Sequence, residues 1–540
     1  MRVVLVCLAF GSVLTVCTVG PMPADAVRED AGGVQGGSAP ADAGPGAEPV
    51  TDAGNAVPDA GTAPDGGAQP GDAGAADAGT HSDAGAAPPD AGRPPDAGTH
   101  PVDAGVPDAG IVDLGDTRWT PLFDASLSRF YRWQPSRGRN WDPEGVFRME
   151  GQVLHILGLP ATGQAKDFGY LATWEDHHDY RLRLEQRWGT RTFAPRLGKP
   201  RDSGLLYHLR GPDRVWPQCI EFQIMEHNLG DTWMLSGTGL TAPVERTGAN
   251  PPTFDPLGAP ESLRGGRLVK SEEPESLTEW NNLELIASGR DSAQVVNGRQ
   301  VNGATDLEAD SGGWRGLSQG RIALQAEGAE VFYRNMELRP LVYLPPPPGA
   351  VVLFDGSDLD AWESSGGGAP RWRVADGAME VVPGEGDLRT RTAFGDVRLH
   401  VEFQIPPSGP GAAEQDRGNS GVYLQGRYEV QVLDSFGHAL SGKNDCGAIY
   451  GVKDADVNEA LPPGIWQSYD IVFRAPRWSG EIKESPARIT VVWNGSRVQR
   501  DVEVWASTVL GDPESPGSAP LRLQDHGHPV RYRNIWLQRL

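Results

Sequence analysis

The sequence predicts an all-β fold made of two tandem antiparallel sandwiches that follow a long acidic segment. The first observation is a period of two: residues 397–405 alternate apolar and polar side chains, as in a strand with one buried face. The second is a pair of two-residue hairpin turns, Asn297–Gly298 and Asn494–Gly495, whose residue types tolerate positive φ. The third is the lack of long amphipathic helical patterns, which excludes a helical core.

Length and charge limit the classes of protein. The chain has 540 residues, with Asp+Glu 72 against Lys+Arg 48 and a formal net charge of -24. This length exceeds one ordinary domain, so two or more units are expected. A polyanion requires a concentrated basic surface, so the acidic balance argues against a nucleic-acid-binding protein. Residues 27–117 carry 14 Asp and 2 Glu against 2 Arg, so most of the acidity belongs to that segment.

Residues 1–26 are predicted to be an export signal. A positive residue precedes an apolar run, and Ala24–Ala26 forms a small-x-small cleavage pattern. Polar residues interrupt the run, which favours a removed signal peptide over a permanent span, and no transmembrane span is expected after removal. Lipidation at Cys17 is an open alternative, although Val16 stands where a lipoprotein box requires a smaller residue. We expect a periplasmic, outer-membrane-associated or extracellular protein.

Residues 27–115 are predicted to be a disordered acidic linker. The tripeptide Asp-Ala-Gly occurs eleven times between Asp30 and Gly110, at irregular spacing and interleaved with proline. With few aromatic or branched aliphatic residues, this segment cannot bury enough surface to offset chain entropy. A calcium-binding repeat would require a fixed period. The pattern therefore predicts an extended spacer.

The remaining chain contains an internal repeat. The first repeat spans residues 116–344 and the second repeat spans residues 349–540, with a stiff linker of four prolines at 345–348. The matching segments, collinear in both repeats, are Leu122–Leu127 with Leu353–Leu359, Asp202–Gly204 with Asn419–Gly421, Glu221–Gln223 with Glu429–Gln431, Asn297–Gly298 with Asn494–Gly495, and Tyr333–Asn335 with Tyr532–Asn534. Each repeat holds one cysteine, Cys219 or Cys446, so no disulfide framework is indicated.

One matched strand predicts a candidate site. A period of two places Glu429 and Gln431 on the face opposite the apolar residues, and Glu221 and Gln223 take the same places in the first repeat. A carboxylate beside an amide offers the donors and acceptors that sugar hydroxyls require. A solvated strand face would explain a single such pair better. Its presence in both repeats, beside segments rich in Trp and Tyr, favours a site.

A second polar group lies near the end of each repeat. Gln524 precedes Asp525–His528 in the second repeat, and Gln325 and Glu327 hold the matching places in the first. Histidine can act as a base near neutral pH, and Asp-His-x-His could hold a metal. A loop histidine is more often structural, and no His-Glu-x-x-His or paired-Cys pattern supports a metal. Other candidate histidines are His177, His178, His227 and His438.

Several motifs together point to one family. The second repeat carries Leu353–Gly356, Trp372–Gly377, Gly418–Gln425, Tyr428–Val432, Cys446–Gly451, Leu523–His526 and Arg533–Ile535, and the first carries Asp202–Gly204, Val215–Pro217, Glu221–Ile224, Gly230–Asp231, Gly320–Gln325 and Arg334–Asn335. Both repeats resemble the 3-keto-disaccharide hydrolase domain, over nearly all of residues 118–540. The resemblance implies a concanavalin-like jelly-roll sandwich that acts on an oligosaccharide or glycoside oxidised at C3.

The resemblance also implies a chemistry. A 3-keto group acidifies the C2 proton, so a base can remove it, the C1 substituent is expelled, and water adds to the unsaturated sugar. Such a site requires a general base near C2, an electrophile at the C3 oxygen and a proton donor for the leaving oxygen. A divalent metal would serve as the electrophile, although no cofactor is identified by the sequence.

Site residues are assigned to matched positions. The catalytic candidates are Glu429 and His526 in the second repeat and Glu221 in the first. The substrate-binding candidates are Asn419, Gln425, Gln431 and Gln524 in the second repeat and Asp202, His208, Gln223 and Gln325 in the first. The first repeat departs from the family at Asp202, where Asn is usual, and has Glu327 in place of His526. It is therefore a second active site with another preference or a domain that only binds.

Two other classes of function stay open for the whole protein. One is a non-catalytic glycan-binding protein tethered to the envelope, and the other is a structural or adhesion protein. Fold class does not decide between them, because jelly rolls host lectins as well as enzymes.

Overall fold

The structure is a computed structural model that describes residues 117–157 and 168–540. The predicted signal peptide, the acidic linker and the lipidation alternative at Cys17 lie outside the described residues. Within them the chain forms strands and one 3-10 turn at Glu414–Asp416, with no α-helix, so the predicted all-β class with two tandem sandwiches is confirmed. No helix in the described ranges is both long and apolar enough to cross a membrane.

The first repeat forms two antiparallel sheets. Its strands within the described ranges are β1 (Thr120–Pro121), β2 (Phe130–Gln134), β3 (Gly138–Arg139), β4 (Phe147–Glu150), β5 (Val153–Ile156), β6 (Gly169–Thr173), β7 (Tyr180–Thr192), β8 (Asp202–Arg210), β9 (Gln218–Met225), β10 (Thr232–Val244), β11 (Ala259–Leu268), β12 (Asn281–Ser288), β13 (Asp291–Val296), β14 (Arg299–Asp310), β15 (Trp314–Gly316), β16 (Arg321–Ala326) and β17 (Ala329–Pro340).

Strand pairing defines a front sheet and a back sheet in this repeat. The front sheet runs β3-β2-β6-β16-β8-β9-β10-β11. The back sheet runs β4-β5-β17-β7-β12-β13-β14, with β1 also paired to β17. Strand β14 passes from one sheet to the other, because its first half pairs with β13 and its second half with β10.

The second repeat has the same two-layer plan with shorter sheets. Its strands are β18 (Val351–Phe354), β19 (Trp362–Ser364), β20 (Arg373–Ala375), β21 (Ala378–Glu380), β22 (Leu388–Phe394), β23 (Val397–Gln404), β24 (Ser420–Leu424), β25 (Tyr428–Val432), β26 (Trp466–Arg474), β27 (Arg477–Ser479), β28 (Ile482–Ser485), β29 (Ala487–Trp493), β30 (Ser496–Val504), β31 (Ala519–Leu523) and β32 (Arg531–Arg539). The front sheet runs β19-β22-β31-β24-β25, and the back sheet runs β20-β21-β32-β23-β26-β29-β30, with β18 paired to β32.

Each core lies between the two sheets of its repeat. In the second repeat, Val422 and Val430 from the front sheet join Val401 and Ile471 from the back sheet in one buried apolar cluster. Because side chains alternate along a strand, the neighbours of Val422 and Val430 lie on the outer face of the front sheet. That outer face carries the predicted carboxylate and amide pairs of both repeats.

The two predicted hairpin turns have the expected backbone. Asn494 and Gly495 have φ of 49° and 79° between β29 and β30, and Asn297 and Gly298 have φ of 50° and 80° between β13 and β14. Positive φ at both central positions suits the right-handed twist of the paired strands. The same sequence signal therefore marks the same turn in both repeats.

The two repeats share a buried interface. The side chain of Glu459 accepts hydrogen bonds from Arg181 and Arg339 of the first repeat, each at 2.9 Å. Apolar side chains of both repeats also form one buried cluster: Ile286, Ala293, Val295, Leu341, Leu461 and Ile465. At the end of the first repeat, the Leu344 carbonyl accepts from Asn534 at 2.9 Å and from Trp536 at 3.0 Å.

This interface corrects one expectation from the sequence. Strand β23 forms as predicted, but its polar face is not solvated, since His400 and Glu402 are 0% and 2% exposed. Glu402 accepts a hydrogen bond from Asn534, the residue that also holds Leu344. The end of the first repeat therefore covers this face. Alternation along one strand cannot reveal such a cover, because the covering segment is distant in sequence.

Candidate functional site

The same hydrogen-bonded group anchors the front sheet in both repeats. In the second repeat the Ser420 hydroxyl donates to the Gln524 carbonyl at 2.6 Å and lies 2.7 Å from the Tyr532 hydroxyl. In the first repeat Ser203 takes this place: it lies 2.8 Å from the carbonyl of Gln325 and 2.8 Å from the hydroxyl of Tyr333. Gln524 and Gln325 are thus structurally equivalent, as the sequence matching predicts.

In the second repeat, this anchor brings three strands of polar residues together. Strands β24 and β25 pair so that Tyr423 lies opposite Glu429 and Gly421 lies opposite Gln431. The Gln524 backbone N–H donates to the Gly421 carbonyl at 3.1 Å, which places Gln524 beside them. Residues directly opposite on neighbouring strands share a sheet face. Four of the predicted site residues, Asn419, Gln431, Gln524 and Glu429, therefore gather at one end of the outer face.

A glycine makes the space for the carboxylate. A Cβ atom at position 421 would collide with Oε1 of Glu429 and would lie 2.9 Å from Cε2 of Tyr423. Two amide oxygens nearby, Oδ1 of Asn419 and Oε1 of Gln524, are buried without a hydrogen-bond partner. A buried acceptor without a partner is costly, so such groups suggest a missing donor. Sugar hydroxyls are donors of this kind.

The electrostatics of Glu429 suit a base. Its Oε2 accepts a hydrogen bond from the Tyr423 hydroxyl at 2.8 Å, and its side chain is 3% exposed. Burial raises the pKa of Glu429 to about 7, although the Tyr423 hydrogen bond and the charge of Arg522 act in the lowering direction. A carboxylic acid that titrates near neutral pH can both accept and return a proton.

The side-chain amides of Gln431 and Gln425 differ in how strongly they are already hydrogen-bonded within the fold. Gln431 donates only long hydrogen bonds, at 3.4 Å to Gln415 and 3.3 Å to the Asn444 carbonyl. Gln425 instead donates to the Phe394 carbonyl at 2.9 Å and accepts from Arg427 at 3.3 Å. Gln425 thus holds the turn after β24 together, and Gln431 keeps more capacity for a ligand.

His526 lies just beyond the front sheet. It is exposed in the loop that follows Gln524, and none of the hydrogen bonds among residues 117–157 and 168–540 joins it to Glu429. The loop is held by Asp525, whose side chain accepts from the backbone N–H groups of Gly384 and Gly386 at 2.8 and 2.9 Å.

The first repeat gathers three carboxyl groups at the corresponding place. Asp202 forms a side-chain hydrogen bond with Glu327, and Arg196 contacts Asp202 and lies 3.6 Å from Glu327. Burial raises the pKa of Asp202 to about 7 against the lowering effect of Arg196. Burial, and then the negative charge of Asp202, raise the pKa of Glu221 and of Glu327 well above the usual range. Two carboxyl groups can share a hydrogen bond only when one is protonated.

The predicted amides of the first repeat also face this group. A Cβ atom on Gly204 would collide with Oε1 of Gln325 and Oε1 of Glu221, and both oxygens are buried without a hydrogen-bond partner. The Gln223 oxygen is likewise unpartnered. His208 lies at the end of β8 with φ of 51°, where Gln425 of the second repeat has φ of 55°. Both His208 ring nitrogens are buried without partners, and burial lowers its pKa to about 3.

The two sites differ most beside the shared glutamate. In the second repeat Tyr423 faces Glu429, and Arg522 pairs with Tyr423, its guanidinium 4.0 Å from the centre of the Tyr423 ring. In the first repeat Leu206 faces Glu221 and pairs with Ala323. Apolar neighbours thus replace a hydroxyl and a cation.

Sequence reasoning missed four residues of these sites. Tyr423 follows Gly421 at a period of two and faces the glutamate strand, so the alternation could have identified it. Arg522 precedes Gln524 by the same spacing on β31. Glu327 is the sequence counterpart of His526, but matching the two repeats does not by itself place it in the site. Arg196 lies in the irregular segment between β7 and β8, where no periodicity applies.

The donor set does not suit a resident metal. The second repeat offers one carboxylate with three amides, and one oxygen of that carboxylate already accepts from Tyr423. Within 117–157 and 168–540, no group of three His, Cys, Asp or Glu side chains is placed to hold an ion. No step below is assigned to a metal.

One family model matches both repeats of the chain. The family model of the 3-keto-alpha-glucoside-1,2-lyase-like domain matches residues 118–339 and again residues 349–538. Among curated proteins no match to the chain was found.

Several solved structures are similar to the chain. A candidate glycosyl hydrolase from Parabacteroides distasonis ATCC 8503, solved at 2.13 Å, is 36% identical, and the match covers 37% of this chain and 94% of that chain with a TM-score of 0.34. A second from the same organism, solved at 1.70 Å, is 19% identical, covers 36% and 94%, and has a TM-score of 0.26. The Bacillus licheniformis beta-glucanase is 8% identical, covers 42% and 97%, and has a TM-score of 0.25.

Proposed function

Because the chain belongs to the 3-keto-alpha-glucoside-1,2-lyase-like domain family through both repeats, we propose that it cleaves glycosides oxidised at C3 and that the second repeat does so at neutral pH. One observation carries the proposal: Glu429 is a buried carboxyl group with a pKa of about 7, and unpartnered amide acceptors surround it. Such a group is suited to proton abstraction beside a carbonyl.

Substrate positioning follows from the free polar atoms. The unpartnered oxygens of Asn419 and Gln524 would accept hydrogen bonds from sugar hydroxyls. The side-chain N–H of Gln431, which makes only long hydrogen bonds within the fold, would donate to the C3 oxygen as negative charge develops there. Gln425 is occupied within the turn and is assigned no contact with substrate.

The reaction balances as an elimination followed by a hydration. Glu429 takes the proton from C2, the C–H electron pair forms the C1–C2 double bond by way of the C3 enolate, and the C1–O bond breaks. Glu429 returns its proton to the departing oxygen, and water then adds its hydroxyl to C1 and its remaining proton to C2. His526, exposed beside Gln524, is our candidate for proton exchange with solvent in these later steps.

The first repeat is proposed to bind rather than cleave at neutral pH. Burial and the negative charge of Asp202 raise the pKa of Glu221 well above its usual range, which favours the protonated form of its carboxyl group. A protonated carboxyl group is a donor and not a base. This observation favours a glycan-binding role for the first repeat, and a wholly glycan-binding protein is the competing function.

The test is turnover of a 3-keto-glucoside with a detectable leaving group by the full chain, with and without chelator. Glu429→Gln should lower kcat by about 10²- to 10⁴-fold, the contribution of a general base. Glu221→Gln is the matched control and should change turnover at pH 7 only a few-fold. The unaltered chain should gain activity as pH rises through about 7, because only the ionised Glu429 accepts a proton. No turnover in any variant, with saturable binding of unoxidised glycans, would leave the binding function alone.

The site of action is also a proposal. The signal-like residues 1–26 support export, with retention at Cys17 as the alternative. Mass measurement of the mature chain from the native envelope would separate cleavage after residue 26 from a lipidated Cys17.

A further inference from the structure

The residues around Glu429 form a chain of contacts that is not needed merely to fold the sheet. Gln524 donates to the Tyr423 hydroxyl at 3.2 Å, and that hydroxyl donates to Oε2 of Glu429 at 2.8 Å. All three side chains lie on the outer face of the front sheet, and Tyr423 is 0% exposed. Burying a hydroxyl costs free energy unless it is hydrogen-bonded, so folding alone would favour an apolar side chain at this position.

Two further contacts fix the tyrosine ring and the glutamate backbone. Arg522 lies over the Tyr423 ring, and its guanidinium donates to the Leu510 carbonyl at 2.6 Å. The Glu429 backbone N–H donates to the Thr508 hydroxyl at 3.0 Å. A ring held between a cation and a sheet, with its hydroxyl accepting from one side chain and donating to another, keeps few alternative orientations.

The first repeat has the same scaffold but lacks this series of hydrogen bonds. Leu206 faces Glu221 and Ala323 occupies the place of Arg522, so these strands place neither a hydroxyl nor a cation beside this glutamate. The serine, tyrosine and glutamine that anchor the sheet are nevertheless kept in both repeats. Tyr423 and Arg522, which only the second repeat has, are therefore not requirements of the fold.

We propose that Tyr423 is a positioning residue for Glu429, that Gln524 and Arg522 hold it in place, and that its replacement by Leu206 is the main reason why the two repeats differ in catalytic behaviour. This inference rests on the proposed function and names the group that prepares the base for it. Tyr423 acts through Glu429 and needs no contact with substrate.

The physical effect is on the ionised form of the glutamate. An O–H that donates to a carboxylate stabilises the charged form, so it favours ionisation. The charged and titratable groups around Glu429 are Tyr423 on β24, Arg522 on β31 and Asp387 before β22. Burial and Asp387 raise the pKa of Glu429, whereas Tyr423 and Arg522 lower it. Loss of the hydroxyl removes a stabilising contact and leaves the burial penalty in place.

The experiment is the pH dependence of kcat/KM for a 3-keto-glucoside with Tyr423→Phe in the full chain. A hydrogen bond to a charged group is expected to shift the acid limb upward by about one to two pH units. Because Glu429 of the unaltered chain is about half ionised at pH 7, kcat should then fall about 5- to 50-fold at that pH, KM should stay within a few-fold, and activity should recover above the new limb. Tyr423→Leu, which copies the first repeat, should shift the limb at least as far.

A matched control separates this effect from the loss of any buried hydroxyl. Tyr428 neighbours Glu429 in sequence, but its ring is in the core and its hydroxyl donates to Glu514. Tyr428→Phe removes the same atom from the opposite face and should leave the limb unchanged. An unshifted limb in Tyr423→Phe, or an equal shift in Tyr428→Phe, would overturn the proposal.

A second readout makes its failure distinguishable from failure of the proposed function. Carbon-13 NMR titration of the Glu429 carboxyl group reports its pKa without substrate, and Tyr423→Phe should raise that value by the same one to two units expected above. A raised NMR pKa without any turnover would reject the proposed reaction but keep the coupling of Tyr423 to Glu429. Turnover that depends on Glu429 but not on Tyr423, with an unchanged NMR pKa, would reject only the inference.

Discussion

The two outer faces of the front sheets carry the same glutamate in different surroundings. Glu429 shares a hydrogen bond with Tyr423 beside Arg522, and burial raises its pKa only to about 7. Glu221 lies opposite Leu206, near the acidic Asp202, and its pKa is raised well above the usual range. A shared fold thus places the carboxyl group, but the neighbouring residues determine how far its pKa is raised.

The difference also concerns how negative charge is balanced. In the first repeat, Arg196 is the cation that contacts Asp202 and Glu327, and the two acids share a hydrogen bond. Three buried carboxyl groups cannot all ionise beside one guanidinium, because like charges at short range disfavour ionisation. The second repeat has one glutamate at the corresponding place, with Arg522 beside it, so it does not carry this excess of buried carboxyl groups.

A buried ion group joins the two repeats, and removing its charge tests whether each repeat stays folded when their interface is weakened. Glu459→Gln removes the charge that faces both Arg181 and Arg339, and Arg339 is 2% exposed. An unpaired buried charge typically costs about 3 to 5 kcal/mol. We expect the interface to open at lower denaturant concentration, while both front sheets keep their hydrogen-exchange protection.

The control is Glu363→Gln, a change at an ion pair on the exposed edge of the second repeat with Arg389. Exposed pairs contribute only about 0 to 1 kcal/mol. Equal destabilisation by the two substitutions would contradict the assignment of Glu459 as the ionic centre of the interface.

One glycine in each front sheet leaves the space that the neighbouring glutamate occupies. Gly421→Ala would push its methyl group into Oε1 of Glu429, and Gly204→Ala would do the same to Glu221. A displacement of about 1 Å in a catalytic group can cost about 100-fold in rate. We expect kcat on a 3-keto-glucoside at pH 7 to fall about 100-fold in Gly421→Ala but to change only a few-fold in Gly204→Ala.

Thermal melting of both alanine variants provides the control, because each glycine lies in the interior of a front-sheet strand. Comparable losses of activity in both variants, with both still folded, would show that the first repeat contributes to turnover. The distinction between a cleaving repeat and a binding repeat would then fail.

The sequence predicts the scaffold better than the chemistry. The period of two and the Asn-Gly turns depend on local backbone geometry, so the strands, the hairpins and the tandem sandwiches could be predicted and are confirmed. The gathering of Asn419, Gln431 and Gln524 around Glu429 followed from matching the two repeats. Their roles in catalysis and binding, and those of His526 and His208, stay predictions.

What the sequence could not supply depends on long-range packing. Arg196 reaches Asp202 from an irregular segment, and the Thr508 loop reaches the edge of β25 from about eighty residues away. The cover over His400 and Glu402 comes from the end of the other repeat. Periodicity predicts the face on which a side chain lies, but it does not predict which residues cover that face. The protonation of a buried carboxyl group depends on those covering residues.

Two buried histidines, one in each repeat, have pKa values that are shifted in opposite directions. His208 of the first repeat has no hydrogen-bond partner, and burial lowers its pKa to about 3. His400 of the second repeat lies 3.1 Å from Asp470 and 3.4 Å from Glu402, and although burial lowers its pKa, these two contacts outweigh burial and raise it. The two repeats should therefore respond to acid in opposite directions at these positions.

The signs follow from proton binding in the folded and unfolded states. Unfolded His208 takes up a proton below about pH 6.5, whereas folded His208 stays neutral down to about pH 3. The free energy of unfolding therefore decreases as pH falls between these values, by at most about 1.4 kcal/mol per pH unit. His400 binds its proton more tightly when folded, so its contribution is fully present below pH 6.5 and is lost as pH rises through its folded pKa.

Substitution by glutamine allows each histidine variant to be compared with the parent. His208 has no carboxyl partner, so its difference isolates the histidine, whereas the difference for His400 also contains Glu402, whose pKa the hydrogen bond to His400 lowers. His208→Gln copies Gln425 at the equivalent turn, and its stability relative to the parent should improve as pH is lowered from 7.5 to 5.5. His400→Gln should be more damaging at pH 5.5 than at 8.5. Peptide-resolved hydrogen exchange across this pH range assigns each change to its own repeat. Parallel slopes for the two variants would show that acid response is set by the carboxyl groups common to both sheets rather than by what lies above each histidine.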